Sequence, residues 1–152
     1  MNELKIKYDV IVAGAGIAGI SAAVKAAREG VSVLLIEHYA FVGGMSTAGM
    51  VSPFMKHSVN DETLVRGIFE DIEKEMRNRN GMIDNGFYAS SFRAASFNLL
   101  HNADCNVLLH SEILQVNRIG KSIDSVTVLI NGVEYIIRAD VFIVTTANRL
   151  LI

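Results

Sequence analysis

The 152-residue sequence predicts a single α/β domain in which a parallel sheet carries helices and is extended by a β-meander. Three observations predict it. A strand, a helix and a second strand follow one another within residues 8–37, the order of a βαβ unit, whose strands run parallel and whose crossover is right-handed. Residues 113–138 read as β-branched strands joined by tight turns. No linker, repeat or low-complexity tract divides the chain between these blocks.

The elements follow in order. Residues 8–13, YDVIVA, read as a short apolar strand of the kind buried on both faces of a parallel sheet. Residues 17–28 form an Ala-rich helix closed by Gly30, and residues 31–37 form the second buried strand. A small-residue loop, YAFVGGMSTAGMVSPFM, then carries Pro53, the one proline of the chain. Residues 61–78 predict an amphipathic helix whose apolar face holds Leu64, Val65, Ile68, Phe69, Ile72 and Met76. A weaker helix spans 91–102 and a short strand 106–110. Residues 113–119, 125–130 and 133–138 predict the meander, with Asn131-Gly132 suited to a type I′ turn. The apolar run 141–145 reads as a further, separate strand belonging to the parallel sheet.

Composition excludes several function classes. A net charge of −2 with no basic run argues against nucleic acid, whose phosphates demand clustered Lys and Arg. Cys105 is the single cysteine, so an internal disulfide and a multi-thiolate metal site are both excluded, and no metal is expected. The histidines at 38, 57, 101 and 110 lack the spacing of a helical zinc site. The mean hydropathy of +0.34 is high for a small soluble domain. Its uncharged N-terminal run, residues 10–24, is too short to span a bilayer and is broken by glycines. Glu3 and Asp9 flank that run where a signal peptide would be positive, so a cytoplasmic protein without membrane contact is expected.

The chemistry is concentrated in GAGIAG, residues 14–19, set between strand and helix. In this context Gly14 permits the tight turn, Gly16 admits a pyrophosphate to the backbone, and Gly19 lets the helix pack close to the strand. The helix N-terminus adds free N–H groups and about half a unit of positive charge. Glu37 ends the second strand about twenty residues past the loop, where a carboxylate accepts hydrogen bonds from a ribose diol and repels a 2′-phosphate. The pattern is that of a Rossmann-like dinucleotide-binding domain.

After Glu37 the alternation of strand and helix stops, whereas a nicotinamide domain of this type continues at once with a third parallel strand. Here the chain resembles the FAD-dependent oxidoreductases of the glutathione-reductase-like superfamily. The stretches YDVIVAGAGIAGISAAVKAAREGVSVLLIE and GGMSTAGMVSPFM, the middle helices and the meander carry the resemblance. It implies FAD as cofactor, with the backbone of Ala15 and Ala18 facing the pyrophosphate, Glu37 on the adenosine ribose and His38 near the adenine. It further implies that Gly43, Gly44, Met45 and Ser46 line the path toward the flavin, and that the backbone of Ile113 touches the adenine edge.

The resemblance has limits in the sequence itself. The family's strand matching VFIV leads into an Ala-Thr-Gly-Asp type turn, and this chain has Thr145, Thr146, Ala147 and Asn148 there. Relatives continue into a substrate domain, so residues 1–152 are expected to form a single FAD-binding domain truncated before it. No residue is expected as a catalytic acid or base, and the small-molecule substrate is unknown. The alternatives are a non-catalytic or degenerate FAD- or ADP-binding module, and the NAD-binding domain of a dehydrogenase. An apolar face left bare by a missing domain accounts for the hydropathy and predicts self-association or a companion chain.

Overall fold

In a computed structural model that describes residues 2–60 and 62–146, the chain forms a mixed α/β fold. It comprises β1 (Asn2–Ala13), α1 (Ile17–Arg28), β2 (Val33–Ile36), a 3₁₀ turn (Gly44–Ser46), β3 (Ser58–Val59) and β4 (Glu62–Thr63). There follow α2 (Ile68–Asn78), β5 (Met82–Ile83), β6 (Gly86–Phe87), α3 (Ala89–Asn102), β7 (Asn106–Leu108), β8 (Ser111–Ile119), β9 (Ser122–Ile130) and β10 (Val133–Val144). Six strands make one sheet in the order β7-β2-β1-β10-β9-β8, and two short hairpins, β3-β4 and β5-β6, stand apart. The pairs β7-β2, β2-β1 and β1-β10 are parallel, while β10-β9 and β9-β8 are antiparallel.

The βαβ unit forms as the sequence predicts, with α1 matching residue for residue and Val10 to Ala13 of β1 in register with Val33 to Ile36 of β2. All four β2 residues are buried, as a strand covered on both faces requires. One face of the sheet packs against α1, α2 and α3 around Val12, Ile20, Val24, Leu35, Phe92 and Leu100. On the other face Ile11, Leu34 and Ile36 meet Val126, Val128 and Ile137 of the meander, because the sheet curls until β8 comes back against β2. Burial of each such side chain stabilises the fold by about 1.5–3 kcal/mol.

Two expectations change. The apolar runs 133–138 and 141–145 are one strand, β10, whose partner β1 continues alongside it from Asn2 to Ala13. Nothing between the runs breaks a strand, and Lys7 pairs with Asp140 across the junction. The helix predicted over 61–78 starts only at Ile68. Gly67 stands before it at φ +80°, a backbone state that ends a helix for other residues, and Glu70 accepts its N–H at 3.0 Å. Leu64 and Val65 therefore leave the helical face and are 62% and 45% exposed, while residue 61 lies outside the described residues. The short strand expected at 106–110 forms as β7, parallel beside β2 and reached only after α2 and α3, in keeping with the halt in alternation after Glu37. The Asn131-Gly132 turn forms as expected, with φ of 49° and 79°.

Candidate nucleotide-binding site

The site lies where β1 and β2 end. Gly14 leaves β1 at φ +94°, and its N–H donates to the Ile36 carbonyl at 2.8 Å, so the loop begins tied to β2. A Cβ on Gly19 would stand 1.8 Å from the Gly14 carbonyl oxygen. No side chain larger than hydrogen fits between helix and loop there. At Gly16, by contrast, a Cβ would meet nothing within 4 Å: that side of the loop is open. Gly16 caps α1 with no side-chain acceptor, and no acid sits in the first turn. The terminus thus keeps its unpaired N–H groups and its positive end for an external anion. Ala15 is buried and Ala18 is exposed.

Glu37 is 7% exposed and ties this loop to the rest of the site. One carboxylate oxygen accepts the Ala15 N–H at 2.6 Å and the other accepts the Tyr39 N–H at 2.9 Å. Its own N–H donates to the Leu108 carbonyl at 2.9 Å, and its carbonyl accepts the Ser111 N–H at 3.0 Å. A carboxylate offers about four lone-pair sites, so these two bonds leave part of its capacity unspent. His38 is exposed beside it and lines a cleft of about 400 Å³ together with His110, Glu112, Leu129, Asn131 and Gly132. Ile113 follows Glu112 on β8, with its half-buried side chain in the core on the meander side and its backbone paired with Val128.

The Gly-Gly loop meets the first glycine loop directly. The Gly43 N–H donates to the Ala15 carbonyl at 2.7 Å, and a Cβ on Gly44 would lie 2.9 Å from the Gly16 Cα. Ser46 is buried and Met45 is 66% exposed, so the two neighbours face opposite ways. A third segment completes the junction: the Thr145 hydroxyl lies 2.8 Å from the Ala13 carbonyl and 2.9 Å from that of Gly14. Thr146 is exposed next to it, and Ala147 and Asn148 lie outside the described residues.

Sequence reasoning missed Tyr39, Phe41 and Arg93. Tyr39 stacks on Phe41 with ring centroids 6.0 Å apart, and the Arg93 guanidinium sits 3.8 Å from the centre of the Phe41 ring. Tyr39 enters through its backbone, which no side-chain motif reveals. Arg93 left a signal, because it is the one Arg, Lys, Asp or Glu in the whole of α3.

The residues outside this junction fit no chemistry of their own. His57 is held by Glu73 at 3.3 Å between the rings of Phe54 and Phe69, bridging the loop to α2. The Cys105 thiol is pushed up to about 11, chiefly by burial, and is inert at neutral pH. Among the described residues no His, Cys, Asp and Glu cluster could hold a metal. No helix of the described residues is long and apolar enough to cross a membrane.

A glycine turn, an uncapped helix N-terminus and a buried acid at the next strand end, on the parallel part of the sheet, form the arrangement that dinucleotide-binding domains use. The sequence profile of FAD dependent oxidoreductases matches residues 9–148, and the chain belongs to that family, whose cofactor is FAD. No curated protein matches significantly. Solved structures with this fold include a myxobacterial FAD-dependent chondrochloren halogenase, with TM-score 0.68 and 22% identity over 94% of this chain and 38% of that one. A geranylgeranyl bacteriochlorophyll reductase-like protein from Thermoplasma acidophilum has TM-score 0.62 and 18% identity over 91% of this chain and 39% of its own. A 3-ketosteroid-delta4-(5alpha)-dehydrogenase from Rhodococcus jostii has TM-score 0.63 and 15% identity over 91% and 46%. The chain therefore spans less than half the length of each of these proteins.

Proposed function

We propose that this chain holds the ADP half of FAD and acts as the cofactor-binding part of an oxidoreductase. The observation that carries the reading is the junction of three segments at one point: Glu37 on Ala15, Gly43 on Ala15 and Thr145 on Gly14. The open side of Gly16 and the N–H groups of Ile17 and Ala18 take the pyrophosphate. The unspent capacity of the Glu37 carboxylate takes the adenosine ribose, and the cleft beside His38 and Glu112, next to Ile113, takes the adenine. Gly43, Gly44, Met45 and Ser46 then lie on the side leading toward the flavin.

Bound FAD supplies the redox chemistry. What these residues contribute is grip and orientation, because no described group near the junction is placed as an acid or base. The exposed Met45, Met50, Val51, Met55, Leu64 and Val65 support a partner, a companion chain or a second copy. A free, half-buried Cys105 supports a reducing, cytoplasmic setting.

Calorimetric titration with ADP and with FAD tests the reading. Wild-type protein binds both, and Glu37→Ala weakens each by about 1.5–3 kcal/mol, the worth of hydrogen bonds to a charged group, or roughly tenfold to a hundredfold. Unchanged affinity in folded Glu37→Ala removes Glu37 from the site.

A further inference from the structure

The strongest unexplained group among the described residues is the guanidinium of Arg93. Its Nε is buried without a hydrogen-bond partner, and no described residue forms an ion pair with it. Leaving a buried donor without a partner is costly, more so for a charged group. Two other α3 atoms share that condition, the hydroxyls of Ser91 and Ser96. They are neutral, though, with Ser91 pressed against Gly81 and Ser96 fully buried in the core. Arg93 alone carries a charge, and it is fixed in place: its plane lies 3.8 Å over the Phe41 ring, which stacks in turn on Tyr39. Both aromatics belong to the segment between Glu37, whose carboxylate accepts the Tyr39 N–H, and Gly43, which is bonded to Ala15. The helix bearing Arg93 also packs on α1. A pre-oriented cation with no counter-charge thus borders the segment that joins the two glycine loops.

We propose that Arg93 is a phosphate-binding residue of the nucleotide site, pairing its guanidinium with the pyrophosphate of the bound dinucleotide. A planar fork of N–H donors matches phosphate oxygens two at a time, and stacking on Phe41 removes much of the entropy cost of aiming it. The helix N-terminus supplies only partial charge. Arg93 supplies the full cation that the glycine loop lacks.

The assignment rests on the FAD-binding reading, and the experiment separates the two. ADP, FAD, adenosine and inorganic pyrophosphate are titrated into wild type, Arg93→Met and Arg93→Lys, with a thermal melt of each. Arg93→Met keeps an apolar stem over Phe41 and removes the charge. It weakens ADP, FAD and pyrophosphate by tenfold or more, leaves adenosine as in wild type, and flattens the salt dependence of ADP binding. Arg93→Lys keeps the charge without the fork and falls between, and it decides the matter if Arg93→Met does not fold. Equal losses for adenosine and ADP, or ADP binding unchanged in either folded variant, overturn the phosphate role while leaving FAD binding intact. Wild-type protein that binds neither ADP nor FAD overturns both.

Discussion

Glu37 does two things that pull on the same atoms: it holds the Ala15 and Tyr39 N–H groups, and it is asked to hold a ribose. The charge at this position was legible from spacing after a strand, but its grip on Ala15 was not, because the bond joins residues distant in sequence. Removing the carboxylate therefore loosens the empty loop as well as weakening the ligand. Cys105 gives a cleaner test at the same scale. With its thiol pushed up to about 11 by burial, it reacts slowly with iodoacetamide at pH 7.5 and at the free-thiol rate once urea unfolds the chain. Rapid labelling of folded protein contradicts that burial. Asp9 adds a pH dependence. Its carboxylate is held below the ordinary range first by the Ser32 hydroxyl and then by the Ser32 N–H, which fastens β1 to the approach to β2. A depressed carboxyl contributes stability above its unfolded-state pKa and loses it as pH falls through the folded value. The melting temperature consequently drops below about pH 4, and Asp9→Asn flattens that limb of the profile. An unchanged acid limb in Asp9→Asn dismisses the clamp.

At the scale of elements, the two glycines of the loop separate folding from binding. Gly19→Ala drives a methyl group into the Gly14 carbonyl, where neither backbone has room to give, and costs about 1–3 kcal/mol as overpacking does. Gly16→Val extends into open space from an extended backbone, φ −71° and ψ 179°, so it leaves the melting temperature near that of wild type and abolishes nucleotide binding. A thermal melt and an ADP titration on each variant check both outcomes; the reverse assignment contradicts the site. The βαβ unit was legible because strand burial, helix caps and glycines all agree locally. The start of α2 was not: Leu64 and Val65 continue the apolar period, but Gly67 and the β3-β4 pairing decide against it. The union of 133–138 with 141–145 was equally hidden, since β1 runs beside both halves and sequence patterns cannot show a common partner.

For the whole molecule, the apolar residues exposed between 45 and 65 set the third scale. Met45 at 66%, Met50 at 75% and Met55 at 87% exposure are costly in a free monomer and suited to an interface. Light scattering at micromolar concentration is expected to exceed the monomer mass and to return toward it in Met50→Lys/Met55→Lys; a clean monomer in wild type counts against self-association. The fold class and most of the glycine and acid positions could be read from the sequence, whereas the place of Arg93 over Phe41 and the meeting of the two loops emerge only from the curled sheet and packed helices. The most direct measurement is the visible absorption of wild type and Gly16→Val after incubation with FAD and desalting. Wild-type protein keeps the visible absorption of bound flavin, and Gly16→Val emerges colourless while melting at the wild-type temperature. A colourless wild type that also gives no heat with ADP contradicts the nucleotide site altogether.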